Sequence, residues 1–484
     1  MSLKFIDPET GLSTGSTDLG RAVLANSVGN EDSALSTKIS QQSNWRKSYQ
    51  TLFAQVAKAE FQTKHSALAI ATKGLEAFED RVSTSTGENL LAVIKTAWRN
   101  NLGSVITVKI QGTGKTTAAT IDEVVLKQMV ANHSAEPGII DAVHGLRNLK
   151  PDAIKNDLLV ALAGGAEYSP TRLWLDWGGE VAIVARARKE LWTELISRAR
   201  SSSGTLYVPV LAKNLKQDVK SLSDEELAAV AGLDLVADYE AITGWIAELT
   251  KKDSRRIVLG SYAYAPGAKH IEVQAVQHCI ARTITEALPK TRVVLSWLAT
   301  PTDSHVVSAE FARDIANRYS KRSFLTKLRD GLYFARENRP ELFTSAEGKE
   351  LALIDPTSSL QGSSYALAKR VQRWMAYQQA ASDRAVSYQV APPATTDSVL
   401  SHRILRATYR GAPQFGLHPY ETDKAVRISA LLLMAQLQTP RNLEIMDVYS
   451  KLAVHGGLWR SLYKPSDLWR VATIRGIWGY FSNH

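Results

Sequence analysis

A stretch of Lys and Arg residues between Arg313 and Arg373 is the strongest chemical signal in the sequence. It holds twelve cations against seven acids, with aromatic residues such as Tyr319 and Phe324 between the charges. Cations neutralise phosphates and aromatic rings stack on bases, so this composition is typical of a nucleic-acid-binding surface. The candidate phosphate contacts are Arg318, Lys321, Arg322, Lys327, Arg329, Lys369, Arg370 and Arg373.

A glycine-rich segment, Gly112 to Thr117 (GTGKTT), follows a run of alternating residues that predicts a strand. It resembles the phosphate loop of P-loop NTPases, and the resemblance implies that Lys115 reaches a bound phosphate. That loop has a glycine five residues before Gly114, where this chain has Lys109. A glycine-rich turn between two strands explains the same residues, so both interpretations stay open.

A tyrosine and a lysine stand four residues apart at Tyr365 and Lys369, with Ser358 and Ser359 shortly before them. This spacing resembles the Tyr-x-x-x-Lys segment of short-chain dehydrogenases. The resemblance implies an oxidoreductase in which a tyrosine with a lowered pKa does acid–base work beside a serine. The segment from Glu180 (EVAIVA) to TLYVPVLA also resembles a strand–helix–strand piece of that fold, but no glycine-rich dinucleotide turn precedes EVAIVA. An exposed Tyr/Lys pair on a helix is the other interpretation.

The sequence shows no sign of a metal site or of a catalytic thiol. Cys279 is the only cysteine, and none of the ten histidines has the spacing of zinc ligands. A single cysteine excludes an internal disulfide and favours a reducing intracellular compartment. We therefore expect no catalytic residues, no metal and no cofactor, and we expect Cys279 to be a small core residue.

The elements that must position these residues are mainly helical. The sequence predicts a flexible N-terminal arm over 1–44 and a helical lobe over 45–165, with a β-hairpin near 104–118 and short helices toward Gly165. An α/β segment is predicted over 166–300, in which RLWLDW is a strand. A basic helical lobe with an aromatic C-terminal segment follows over 301–484. The predicted fold class is mainly α with a smaller α/β or β portion in the middle, in a multi-lobed globular subunit. No apolar run has membrane-spanning length, so no membrane span is expected.

The net charge of +10 is concentrated in the last third of the chain. A localised basic excess suits a polyanion. Three tryptophans, Trp459, Trp469 and Trp478, lie among arginines and are candidates for an oligomer interface. We therefore expect a non-enzymatic, self-assembling structural protein that binds RNA without sequence specificity. Such a nucleoprotein or capsid subunit, plausibly viral, would be found in the virion or the host cytoplasm. The alternative is an α/β enzyme that uses Tyr365 and Lys369 or the Lys115 loop.

Overall fold

The structure, a computed structural model, describes residues 3–100, 102–148, 153–215, 218–358, 361–438 and 449–481. Helices make up 54% of the protein and strands 15%, which confirms a mainly α fold with a smaller α/β portion. Within these ranges the strands are β1 (Lys4–Phe5), β2 (Val82–Ser83), β3 (Val105–Gln111), β4 (Asp157–Leu162), β5 (Glu180–Val184), β6 (Thr205–Leu211), β7 (Arg256–Ser261), β8 (Val293–Ala299), β9 (His305–Ser308), β10 (Glu341–Thr344), β11 (Glu350–Ile354) and β12 (Val386–Val390).

Helices surround these strands. In the first half of the chain they are α1 (Ser16–Val28), α2 (Ser33–Ser40), α3 (Trp45–Glu60), α4 (Lys64–Glu79), α5 (Leu90–Asn100), α6 (Glu123–Ala131), α7 (Gly138–Gly145), α8 (Thr171–Asp176), α9 (Lys189–Ser201) and α10 (Asp224–Val230). In the second half they are α11 (Tyr239–Lys252), α12 (Lys269–Ala287), α13 (Ala309–Ser320), α14 (Phe324–Leu332), α15 (Gly362–Ala381), α16 (Asp397–Ser401), α17 (Arg403–Gly411), α18 (Thr422–Gln438) and α19 (Pro465–Phe481). Among the described residues, no helix combines the length and the apolar character needed to cross a bilayer.

A seven-stranded sheet forms the centre of the molecule, in the order β12-β8-β7-β4-β5-β6-β3. All neighbouring pairs are parallel except β3 and β6. Every residue of β4 is buried, as expected for a parallel strand that is covered on both faces. Its side chains alternate between two cores, with Leu158 and Val160 on one side of the sheet and Leu159 and Ala161 on the other.

A smaller antiparallel sheet, ordered β10-β11-β9, is inserted between β8 and α15 together with α13 and α14. The chain then returns through α15 and adds β12 to the edge of the large sheet, parallel to β8. Most of α15 from Leu367 onward is buried, and the helix packs against α4 and α12. It packs closely enough on α4 that a Cβ added at Gly74 would lie 2.3 Å from the ring of Trp374.

The large sheet draws strands from residues 105–390, a wider range than the α/β segment expected over 166–300. The local hairpin expected near 104–118 is not formed, because β3 pairs with the distant β6. A buried apolar strand, β4, stands where short helices were expected. The RLWLDW segment, expected to be a strand, instead forms α8, in which Trp174 and Leu175 face the core.

The first 44 residues, expected to be a flexible arm, contain the helices α1 and α2. The apolar side chains of Leu19, Val23 and Leu24 in α1 are fully buried. The helix packs against α4 and α15, so burial of this apolar face holds the segment on the core.

Candidate functional site

The strand order of the large sheet reverses between β4 and β7. The chain proceeds from β4 to β5 and β6 on one side, and then from β7 to β8 and β12 on the other. The helices that follow the two central strands lie on opposite faces of the sheet, since Trp174 of α8 and Ile280 of α12 belong to different cores. The loops at the carboxyl ends of β4 and β7 therefore diverge. In open α/β sheets, ligands bind in the crevice at such a switch point.

Tyr365 and Lys369 lie on α15, near the carboxyl end of β8. The Tyr365 side chain lines the same small cavity as Thr300, the residue that follows β8. One helical turn further along, the Lys369 ammonium donates to the Leu298 carbonyl at 2.8 Å and to the Gln372 side-chain oxygen at 3.2 Å. The ammonium is 5.6 Å from the centroid of the Tyr365 ring. A phenol, a hydroxyl and an ammonium thus meet at the carboxyl end of β8.

Burial shifts the pKa values of these two groups in opposite directions. It raises the pKa of Tyr365 above its ordinary value, so the phenol is protonated at neutral pH but is a weaker acid than a free phenol, whereas the dehydrogenase resemblance implies a lowered pKa. Burial also lowers the pKa of Lys369 to about 8, against an opposing effect from the Asp303 carboxylate. Lys369 is therefore charged at neutral pH and loses its proton under mildly alkaline conditions.

Two aromatic side chains approach the Tyr365 ring from the β7–α12 connection. The ring centroid of His270 is 5.2 Å from that of Tyr365, and the ring of Tyr264 is 6.2 Å away. The His270 Nδ1 atom is 3.1 Å from the Ala265 carbonyl oxygen. Burial, with a smaller effect from the Lys369 ammonium, lowers the pKa of His270 to about 3, so the imidazole is neutral at pH 7.

A small cavity opens beside Tyr365 and Lys369. Its volume is about 20 Å³, room for about one water molecule. Tyr365 itself is half-buried, so part of its surface faces this space. The other lining side chains are mostly polar and include Gln50, Thr302, Asp303, Thr357, Ser358 and Gln361.

A line of buried amides connects Lys369 to the loop after β7. The Gln372 amide donates to the Gln274 side-chain oxygen at 2.7 Å, and Gln277 contacts the same oxygen at 3.5 Å. The side-chain oxygen of Gln277 accepts from the Ala263 backbone N–H at 3.0 Å. These amides fix both the helix that carries Lys369 and the strand end that faces Tyr365. Sequence reasoning missed them, because nothing in their spacing connects α12 to α15.

The mouth of the crevice is partly covered by the loop after β4. The Tyr168 hydroxyl donates to the Pro392 carbonyl beyond β12, so its side chain crosses the carboxyl edge of the sheet. The neighbouring Glu167 carboxylate accepts from the Asp397 backbone N–H at 3.2 Å. On the other side of the switch point, Arg186 and Arg188 follow β5, and both are exposed.

These features decide which parts of a dinucleotide the site could hold. An arginine at the end of the second strand of such a sheet accommodates the 2′-phosphate of NADP, and Arg186 and Arg188 follow the strand in that position. The turn after β4 begins with Ala163 at a positive φ of 64° and continues with Gly164 and Gly165. The two exposed arginines therefore fit a 2′-phosphate, while Gly164 and Gly165 face the side chains of Ile183 and Leu191. The end of a dinucleotide beside Tyr365 fits only after the Tyr168 side chain turns away.

The eight candidate phosphate contacts do not form one surface. Arg370 and Arg373 are fully buried and form ion pairs with Glu60 and Asp303, both of which are also buried. Lys369 faces the cavity described above. The remaining five lie on α13, on α14 and in the turn between these helices.

Three of those five are held by neighbouring groups. Arg318 pairs with Asp314, while Arg322 and Arg329 both bind the buried carboxylate of Asp330. Lys321 and Lys327 are exposed, and no ion pair to either is formed within the described residues. These two are the members of the predicted set that remain available for phosphate contact.

The GTGKTT loop packs its backbone against the end of α9. The N–H groups of Gly112, Thr113 and Gly114 donate to the carbonyls of Gly204, Arg200 and Ser202, respectively. A Cβ at Gly114 would lie 1.8 Å from a backbone oxygen, so close backbone packing explains this glycine. The following helix begins at Glu123, well after Lys115. The donors that would surround a phosphate are therefore already bonded.

The three tryptophans proposed for an oligomer interface have different surroundings. Trp459 is fully buried and stacks on His305 and His455, and Trp469 is partly buried against the core. Trp478 is 63% exposed. Only Trp478 among the three presents most of its surface to solvent.

Cys279 is buried in the core, and burial raises its pKa. Ser359, which the dehydrogenase resemblance includes, lies outside the described residues.

Comparison with known proteins adds no assignment. The chain matches no known family model, and it matches no curated protein.

Proposed function

We propose that this protein is an oxidoreductase that interconverts a carbonyl group and an alcohol, with Tyr365 as the proton donor and a nicotinamide dinucleotide as the redox partner. The observation that carries the proposal is the meeting of Tyr365, Thr300 and Lys369 at the carboxyl end of β8, beside the switch point of the sheet. The resemblance of the Tyr365–Lys369 segment to short-chain dehydrogenases supports the same reaction class.

The chemistry follows from the positions of these three side chains. A carbonyl oxygen placed in the cavity would accept a hydrogen bond from the protonated Tyr365 phenol, which becomes its proton donor as negative charge develops on that oxygen. Thr300 lines the cavity beside the phenol. The Lys369 ammonium stabilises the phenolate that remains. When bound, the nicotinamide ring would exchange a hydride with the carbonyl carbon.

We assign the adenosine end of the cofactor to the carboxyl end of β5. Arg186 and Arg188 make the 2′-phosphorylated form, NADP(H), the favoured partner, because two exposed guanidiniums can pair with a phosphate. Entry of the nicotinamide end requires Tyr168 to leave its position across the crevice. The Tyr168 hydroxyl donates a single hydrogen bond to the Pro392 carbonyl, and rotation of the tyrosine side chain would break it.

The test is turnover of NADPH with a panel of aldehydes and ketones, followed by the loss of nicotinamide absorbance. We expect the wild-type protein to reduce part of the panel and Tyr365→Phe to lose at least about a hundredfold in kcat, the typical contribution of a positioned acid. Tyr264→Phe is the matched control, because its exposed phenol contacts the same ring cluster but does not line the cavity. Equal activity of the wild-type and Tyr365→Phe proteins would overturn the assignment.

A further inference from the structure

The short helix α14 presents an apolar face to solvent. Phe324, Leu325, Leu328 and Leu332 are each between 56% and 78% exposed. At 100° per residue these four side chains fall within one arc of about 100° on the helix surface. Soluble proteins bury such an arc against a core, so a contiguous exposed group of this kind marks an interaction site.

The helix is fixed in this orientation by polar contacts on its opposite face. Asp330 is buried, and its carboxylate binds Arg322, Arg329 at 2.9 Å and the Tyr463 hydroxyl at 3.1 Å. A surface helix usually buries its leucines and exposes its carboxylates, whereas α14 buries Asp330 and exposes its leucines. Rotating the helix to bury its leucines would break this ion cluster and expose a different face. The outward direction of the apolar arc is therefore a fixed feature of the fold.

The apolar surface extends beyond α14. Phe334 is 75% exposed and has a positive φ of 51°, a backbone conformation that bulky residues rarely adopt. The Arg470 guanidinium of α19 donates to the Phe334 carbonyl at 3.1 Å, which places α19 beside it. Ile474 and Trp478 follow Arg470 at intervals of four, on the same side of α19, and both are exposed. We call Phe324, Leu325, Leu328, Leu332 and Phe334 the apolar surface.

Positive charge lies next to the apolar surface. Lys327 projects from α14 beside the apolar arc, and Lys321 precedes the helix. Both are exposed, and among the described residues neither forms an ion pair. Leucine and phenylalanine flanked by lysine is the composition of segments that lie in a membrane interface.

We propose that the apolar surface docks on a bilayer that contains anionic phospholipids, with Phe324, Leu325 and Leu328 inserted among the acyl chains and Lys321 and Lys327 at the headgroups. The leucines favour a bilayer over RNA, since phosphate contacts do not use an exposed aliphatic arc. The unpaired lysines favour a bilayer over a second copy of the chain, because a symmetric contact would bring like charges together. This inference is independent of the proposed oxidoreductase activity.

The experiment is co-sedimentation of the full chain with vesicles of phosphatidylcholine alone and of equal parts phosphatidylcholine and phosphatidylglycerol. We expect binding to the anionic vesicles, weakened at least about tenfold by Leu325→Ser combined with Leu328→Ser, which removes two inserted side chains. Lys321→Glu combined with Lys327→Glu should abolish the preference for phosphatidylglycerol. Matched controls are Val124→Ser, an exposed apolar residue on α6, and Lys213→Glu, an exposed lysine elsewhere, and both should bind as the wild-type protein does.

Light scattering and RNA titration on the same variants complete the test. No binding to anionic vesicles, or equally strong binding to both kinds of vesicle, would overturn the proposal. So would a wild-type dimer that the double serine variant converts to a monomer, because a second copy would then cover the apolar surface. RNA binding that the lysine variants remove, with vesicle binding unchanged, would also overturn it. Unaltered melting temperatures of the variants show that each result reports on the surface and not on the fold.

Discussion

Replacing Lys369 by methionine should change the pH dependence of stability in a calculable way. The lysine has a pKa of about 8 in the folded protein, against 10.5 as its ordinary value. At about 1.4 kcal/mol per pKa unit, the shift corresponds to roughly 3 kcal/mol, an upper limit for a half-buried group. Because the folded pKa lies below the unfolded one, the unfolded chain binds the proton more tightly. The resulting penalty on the folded state is complete below pH 8 and disappears as the pH rises to 10.5.

The assay is urea unfolding of the wild-type and Lys369→Met proteins at several pH values from 7 to 10.5. The stability of the variant relative to the wild type should be most favourable at pH 7 and should fall by as much as roughly 3 kcal/mol by pH 10.5. Lost hydrogen bonds to Leu298 and Gln372 shift the whole curve without creating this slope. Lys213→Met, at an exposed position, should show no slope. A flat difference curve for Lys369→Met would refute the argument that burial lowers this pKa.

Three further substitutions test other parts of the account. Glu60→Gln should destabilise the protein by roughly 3–5 kcal/mol in chemical denaturation, because the buried Arg370 and Arg373 would then share the single carboxylate of Asp303. A cost below about 1 kcal/mol would contradict this buried group of ion pairs. Gly74→Ala should cost about 1–3 kcal/mol in the same assay, since the new methyl group collides with the Trp374 ring, and an unchanged midpoint would contradict that contact. Tyr168→Ala should lower the Kd for NADPH by opening the crevice, whereas unchanged or weaker binding would show that this side chain does not cover the site.

The expected association with RNA stays a prediction, and the structure indicates how to test it. Charge reversal at Lys321 and Lys327 changes two exposed, unpaired cations and leaves the buried pairs intact. If RNA binds at these positions, the affinity of this variant should fall and its salt dependence should flatten. Charge reversal at Arg322 would instead break the pair with Asp330 and disturb the fold, so it is the less informative variant.

The sequence predicted the elements of the sheet better than their arrangement. Strands such as β5 and β6 were predicted from short apolar runs, and the structure confirms them. The β4 strand was missed, because a short apolar run cannot be told from a buried helix by periodicity alone. The RLWLDW segment was misassigned for the same reason. The antiparallel pairing of β3 with β6 depends on residues far apart in the chain, which local pattern does not reveal.

The sequence indicated only part of the candidate site. The spacing of Tyr365 and Lys369 was recognisable, and nearby serines were the expected partners. In the structure Thr300 takes that position, brought there by β8 from 65 residues upstream. In the basic stretch between Arg313 and Arg373, the sequence instead indicated surface residues that the structure places in the core. Arg370 and Arg373 look like surface cations until Glu60, on a distant helix, is seen to neutralise them in the core.

The most direct test of the oxidoreductase assignment is a fluorescence titration of the purified protein with NADPH. We expect saturable binding of one equivalent per chain, tighter in Tyr168→Ala and weaker when Arg186 and Arg188 are both replaced by glutamate. The same double replacement should leave NADH binding almost unchanged, because NADH lacks the 2′-phosphate. Absence of saturable binding to both the wild-type protein and Tyr168→Ala would overturn the assignment of a nicotinamide dinucleotide to this protein.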